Sequence, residues 1–246
     1  MTTNVRDSLS HVMAADSRWS VPLAPFGLEK ILYVDEADYQ KIITFGNSVF
    51  MFAGLCSSID AWKYAIALAS YSAKSVDWAT LPRTGLCISV VEMQTGNVLF
   101  EINHPISYPQ CSFAGSGADF AVGCWSINRD AIRAVNTAKA SDIYSGGVVR
   151  YHRHLTGENN FGFDKSLREL IAKFSERGYI VNTATHNDPV PISEAIKQEP
   201  ILRSVLQQMA QGNISPSAPF DGMEKPWSED DSKKLVSTME RIFPKS

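Results

Sequence analysis

Residues Lys41–Leu55 read KIITFGNSVFMFAGL, two short apolar runs broken by GNS. Gly-Asn between β-branched and aromatic residues is hairpin chemistry, because both residues tolerate the positive φ that tight turns need. A strand pair this apolar has to be covered. The cover follows directly: Ile59, Trp62, Ala65, Ile66 and Ala69 recur at helical spacing, with Ser57 or Ser58 expected as the cap.

Moving downstream, Leu86, Ile88 and Val90 alternate with Cys87, Ser89 and Val91 ahead of a TGN turn, the signature of a second hairpin. CSFAGSG (111–117) reads as a strand entering a glycine turn, followed by two helices divided near Asn128, and GGVVRYHRH (146–154) returns as a strand. Strands, helix, strands, helix pair and strand, in that order, predict antiparallel sheets with helices packed on them. Beyond Thr156 the pattern is mainly helical. Asp164 is expected to cap a helix carrying Leu167, Leu170, Ile171 and Phe174 that Gly178 ends; Pro200 opens one carrying Ile201, Leu202, Val205, Leu206 and Met209. NISPSAPFDGMEKP (213–226) is expected as a loop, and Ser228 with Asp231 announces a last helix. The predicted division is a core over 1–155 and a mostly helical extension over 156–246.

Composition narrows the classes. With 246 residues, 44% hydrophobic, 20% charged and 10% aromatic, the chain reads as an ordinary globular protein with a substantial core. A net charge of −3 supplies no basic field for a phosphate backbone, so nucleic acid is not expected as a partner. Cys56, Cys87, Cys111 and Cys124 are scattered without a C-x-x-C pair and are expected as reduced, buried thiols. No basic-then-apolar leader and no membrane-length apolar run is found, so the expected location is cytoplasmic and no membrane partner is expected. His152 and His154 share one strand face, but no third ligand stands at metal spacing and no metal is expected.

Several stretches taken together resemble the proteasome β-subunit family, including its simpler bacterial members, within the N-terminal-nucleophile hydrolases. They are TT at Thr2 and Thr3, AADSRWS at Ala14 to Ser20, KI at Lys41 with FAG closing at Gly54, GSGADFA from Gly115, and DIYSGG from Asp142 to Gly147. The resemblance implies an α+β fold, a four-layer αββα sandwich of two antiparallel sheets, here with a C-terminal helical extension. It implies Thr2 as nucleophile, Asp16 and Lys41 as the buried charge pair beside it, and Gly54 as backbone donor to the oxyanion. It further implies Ser116, Asp142 and Ser145 as hydrogen-bonding support, and Ser20 as a contact to substrate backbone. A peptide or protein substrate, assembly of like subunits and no cofactor follow from the same resemblance.

The chemistry is coherent on its own terms. A threonine hydroxyl is a weak nucleophile, and a free α-amine on the same residue, with reference pKa about 7.7–8.0, is close enough to neutral to serve as its base. That amine exists only if Met1 leaves. A lysine ammonium nearby pushes the amine toward its neutral form, and an aspartate keeps the buried lysine charged. Two further readings stay open: the same fold kept as a catalytically inactive binding or inhibitory module, and an amidase acting on a small molecule. Retention of Met1 sinks the peptidase reading.

Overall fold

The computed structural model describes residues 2–71, 75–186, 188–221, 223 and 225–244. Strands β1 (Asn4–Asp7), β2 (Val12–Ala15), β3 (Trp19–Pro22), β4 (Lys30–Val34), β5 (Ile42–Phe45) and β6 (Ser48–Leu55) lead into helix α1 (Cys56–Tyr71). Next come β7 (Leu86–Glu92), β8 (Val98–Ile102), β9 (Ile106–Tyr108), β10 (Cys111–Ala114), α2 (Ala118–Asn128) and α3 (Ala131–Ser141). The chain continues through β11 (Arg150–Arg153), α4 (Leu167–Arg177), β12 (Tyr179–Asn182), β13 (Val190–Pro191), α5 (Ile192–Gln198), α6 (Ile201–Ala210), β14 (Ser217–Ala218) and α7 (Glu229–Ile242).

The strands form two antiparallel sheets. The smaller runs β11-β2-β1-β10-β9; the larger runs β13-β12-β4-β3-β14-β6-β7-β8, with β5 also on β6. The Lys41–Leu55 hairpin forms as expected, with Phe45 opposite Ser48 and a turn at Gly46–Asn47. Strand β6 is the axis of the fold because it is apolar on both faces. Phe50 and Phe52 point into one large cluster with Trp62 of α1, Phe174 of α4 and Leu235 of α7. Val49 and Met51, on the alternate face, pack against Met13 and Ala15 of β2 in the other sheet. A separate cluster joins α2 and α3 to the smaller sheet through Trp125, Ala134 and Phe113. Period-two alternation thus assigns one face of β6 to helices and the other to the facing sheet.

Helix boundaries follow local chemistry, with two corrections. Helix α1 starts at Cys56, straight out of β6, so neither Ser57 nor Ser58 caps it; the Ser58 hydroxyl donates to Thr84 O instead. Asp164 does not cap α4 either. Ser166 does, in a reciprocal capping box with Glu169, while Asp164 binds the Lys63 ammonium at 2.8 Å. The break between α2 and α3 falls at Arg129, whose left-handed φ of 52° ends one helix before Asp130 caps the next. Ser228 caps α7 through Asp231 N as expected.

The expected loop over 213–226 contains a strand, β14, lodged between β3 and β6. Strands β12 and β13 also come from the C-terminal segment and extend the larger sheet beyond β4. No helix among the described residues is long and apolar enough to cross a membrane. Three of the thiols, Cys56, Cys87 and Cys111, are free and buried, and Cys124 is free and partly covered.

His152 and His154 do meet, with their Nδ1 atoms 3.3 Å apart, and both are buried. Among the described residues no group of three or more metal-ligating side chains is assembled. Burial, reinforced by the charges of His152, His11 and Arg6, lowers the His154 pKa from 6.5 to about 3. The native state therefore keeps His154 neutral while the unfolded chain takes up a proton, and stability falls as pH drops from 6.5 toward 3. At about 1.4 kcal/mol per pKa unit, the loss reaches roughly 2 kcal/mol by pH 5. His154→Gln should flatten urea midpoints between pH 6.5 and 5; an unchanged slope would assign the acid sensitivity elsewhere.

Candidate functional site

The N-terminal residues are drawn inward by β1, which pairs with β2 and β10 and has all four of its residues buried. Its polar side chains are satisfied across the fold: Asn4 donates to Phe52 O at 3.0 Å, and Arg6 forms a two-pronged pair with Glu101. Just ahead of this strand, Thr2 is 0% exposed. Its carbonyl receives Gly117 N at 3.3 Å. Gly115, at φ +96°, turns so tightly beneath it that a Cβ there would lie 1.6 Å from Thr2 O. Only glycine fits.

Three expected residues converge here from separate elements. The Lys41 ammonium donates to Thr2 Oγ1 at 2.6 Å and to Asp16 Oδ1 at 2.9 Å. The Thr2 hydroxyl in turn donates to Asp16 Oδ1. Asp16 and Lys41 are 1% and 2% exposed, so the pair is shielded from water. The remaining lone pairs of Asp16 are filled by backbone: Thr3 N at 2.9 Å on Oδ1, and Arg18 N at 3.0 Å and Gly146 N at 3.1 Å on Oδ2. Those last donors come from the SRW and SGG stretches.

The electrostatics follow from this crowding. Burial pushes the Asp16 carboxyl up, but the Lys41 charge and the hydrogen bonds from Thr2 and Thr3 outweigh it and hold its pKa below the usual carboxylate value. Burial lowers the Lys41 ammonium and Asp16 restores part of the loss, so Lys41 releases its proton more readily than an exposed lysine.

Ser116, Asp142 and Ser145 come together in a second group. Asp142 Oδ2 accepts from Ser145 Oγ at 2.6 Å and from Ser116 Oγ. Ser145 Oγ also lies 2.7 Å from Thr3 Oγ1, so this group steadies Thr3, one residue beyond the buried triad. In sequence Thr3 is only a second hydroxyl next to the first, and it gives no signal of its own until the fold brings Ser145 to it.

Gly54 and Ser20 lie elsewhere than an open cleft. Gly54 has φ +122° and stands opposite Leu86 of β7 on one side and Ala218 of β14 on the other. Ser20 stands opposite Ser217 of the same strand, is 0% exposed, and leaves its hydroxyl without a hydrogen-bond partner among the described residues. Trp19, next to Ser20 on β3, places its ring 5.2 Å from the Lys41 ammonium. Met1, whose removal the sequence reading requires, lies outside the described residues.

No family model and no curated protein matches the chain. Among solved structures it is similar to eukaryotic HslV from Trypanosoma brucei, at 16% identity over 61% of this chain and 97% of that chain, TM-score 0.38. It is also similar to Thiobacillus denitrificans BPH in complex with epoxomicin, at 14% identity over 61% of this chain and 96% of that chain, TM-score 0.36. Against Thiobacillus denitrificans BPH in a further structure the figures are 16% identity, 61% and 95% coverage, and TM-score 0.34.

Proposed function

We propose that this chain is a proteasome-like N-terminal-nucleophile hydrolase of four-layer αββα architecture, cleaving a peptide or amide bond with Thr2 once Met1 has been removed. The observation that carries the reading is the buried triad in which Lys41 Nζ sits 2.6 Å from Thr2 Oγ1 and 2.9 Å from Asp16. A hydroxyl held between an ammonium and a carboxylate, out of water, is oriented and polarised rather than merely packed.

The choice of base follows from the same geometry. Asp16 accepts the Thr2 hydroxyl, but its lowered pKa makes it a weak proton acceptor near neutral pH. The freed α-amine of Thr2, with reference pKa about 7.7–8.0, matches the task better. In this reading it takes the hydroxyl proton as Thr2 Oγ1 attacks the carbonyl, Lys41 stabilises the developing charge, and Gly54 N–H receives the oxyanion. The leaving amine collects the proton, and water then releases the acyl group from the Thr2 ester by the same base. Ser116, Asp142 and Ser145 hold Thr3, Ser20 offers backbone to substrate, and each step is a displacement that needs no cofactor. Assembly with further copies and a cytoplasmic location belong to the same reading.

Intact mass before and after an N-terminal-threonine-directed epoxyketone tests it. Loss of Met1 and one stoichiometric adduct is the expected outcome; a retained Met1 removes the peptidase reading.

A second reading, a proteasome-fold binding or inhibitory module, is favoured by one observation: Thr2 is fully buried, and the backbones of Ser20 and Gly54 are already paired with Ser217 and Ala218.

A further inference from the structure

Strand β14 is an anomaly of the larger sheet. It has only two residues, yet it stands in the interior, between β3 and β6. Pro216 and Pro219 flank it, and neither has an N–H to give to a neighbouring strand. The two prolines therefore confine the ladder to Ser217 and Ala218. Its fit is imperfect as well, since the buried Ser20 hydroxyl opposite Ser217 has no partner among the described residues.

What holds the segment between β3 and β6 is contact with α1 and the apolar clusters rather than a long ladder. Pro216 O accepts Cys56 N at 2.9 Å, and the Ser215 hydroxyl accepts Ser57 N at 3.0 Å, both at the start of α1. Ala218 is buried in the large cluster, and Phe220 packs with Ala53, Cys87 and Ala114. Remove Ser215–Phe220 and β3 and β6 are left facing each other across a slot one strand wide, with unpaired backbone on both walls and apolar sockets at alternate positions. That is the recognition geometry for an extended polypeptide with a small residue at the central position.

We propose that the channel between β3 and β6 is a groove for an extended peptide, held shut by the chain's own Ser215–Phe220 acting as a displaceable strap. The inference rests on the reading of Ser20 and Gly54 as substrate contacts. It adds that their occupant in this structure is a segment of the same chain, and that access to Thr2 requires the strap to leave. A tethered strap competes at an effective concentration of roughly millimolar, so a free peptide meets a strong internal rival.

The probe is a fluorescein-labelled octapeptide, ISASAAFD, which copies Ile214–Asp221 with both prolines replaced by alanine. Its binding is read by anisotropy on the full chain. Ala218→Glu, which places a carboxylate where the strap enters the apolar cluster, should expel the strap and tighten binding at least tenfold over the unaltered protein. In Ser20→Cys/Ser217→Cys the strap is tied to β3 by a disulfide across the register pair; binding should be lost when oxidised and return on reduction. Equal affinity in all these states, or no binding to folded Ala218→Glu, would overturn the proposal.

Should Ala218→Glu fail to fold, hydrogen exchange on the unaltered protein decides instead. The amides of Ser217 and Ala218 should exchange at least a hundredfold faster than those of Phe50 and Phe52, and equal protection would overturn the strap. Peptide binding is read without turnover, so a missing epoxyketone adduct with this groove intact removes the peptidase and leaves the groove.

Discussion

Thr2→Ala is expected to lower turnover of an amide substrate by about four orders of magnitude or more, because under the proposed mechanism it removes the attacking oxygen while leaving binding groups in place. It should also abolish the epoxyketone adduct in intact mass spectra. The fold should survive. The triad loses one hydroxyl, while Asp16 and Lys41 keep each other at 2.9 Å, and Thr3 N, Arg18 N and Gly146 N still fill the carboxylate. Turnover near that of the unaltered protein from a cooperatively folded Thr2→Ala variant would take Thr2 out of the mechanism.

Asp16→Ala should be the most damaging single change to stability. It leaves the Lys41 ammonium, with 1% of its side chain exposed, buried without its counter-ion. Breaking a buried pair in this way costs about 3–5 kcal/mol. For a chain of this size that corresponds to a fall in Tm of roughly 6–20 °C. It also strands Thr3 N, Arg18 N and Gly146 N, which all converge on the same carboxylate. Asp16→Leu/Lys41→Met should recover much of the loss, because removing both charges removes the desolvation that their attraction offsets. A thermal scan of the single and double variants reads the difference; a loss under about 1 kcal/mol for Asp16→Ala would mean that Lys41 sheds its proton or reaches water.

The parts of the fold legible in sequence are those set by neighbours along the chain. The Gly46–Asn47 turn, the stripe from Ile59 to Ala69, the break at Arg129 and the Ser228 cap each depend on residues within about one turn of one another. Asp164 shows the limit of that locality. As an acid ahead of a helical stripe it fits the cap, yet the Lys63 ammonium, 101 residues away in sequence, claims it and Ser166 takes the position.

Strand β1 was not legible as a strand, because Asn4, Arg6 and Asp7 are polar at positions that prove buried. Their partners, Phe52 O, Glu101 and Trp125 Nε1, lie 48, 95 and 118 residues away. Period-two hydrophobicity cannot mark a strand whose buried face is satisfied by distant hydrogen bonds.

The candidate site divides along the same line. By itself the sequence supplied the residue types, a threonine beside Met1, an acid in AADSR, a lysine opening a strand and glycines where backbone must come close. Only the tertiary structure decided that Thr2, Asp16 and Lys41 share one buried contact, and that Ser217–Ala218 pairs between β3 and β6. Propensity and patterning act over a few residues, whereas desolvation of a charge pair and pairing of a two-residue strand depend on which distant surfaces are pressed together.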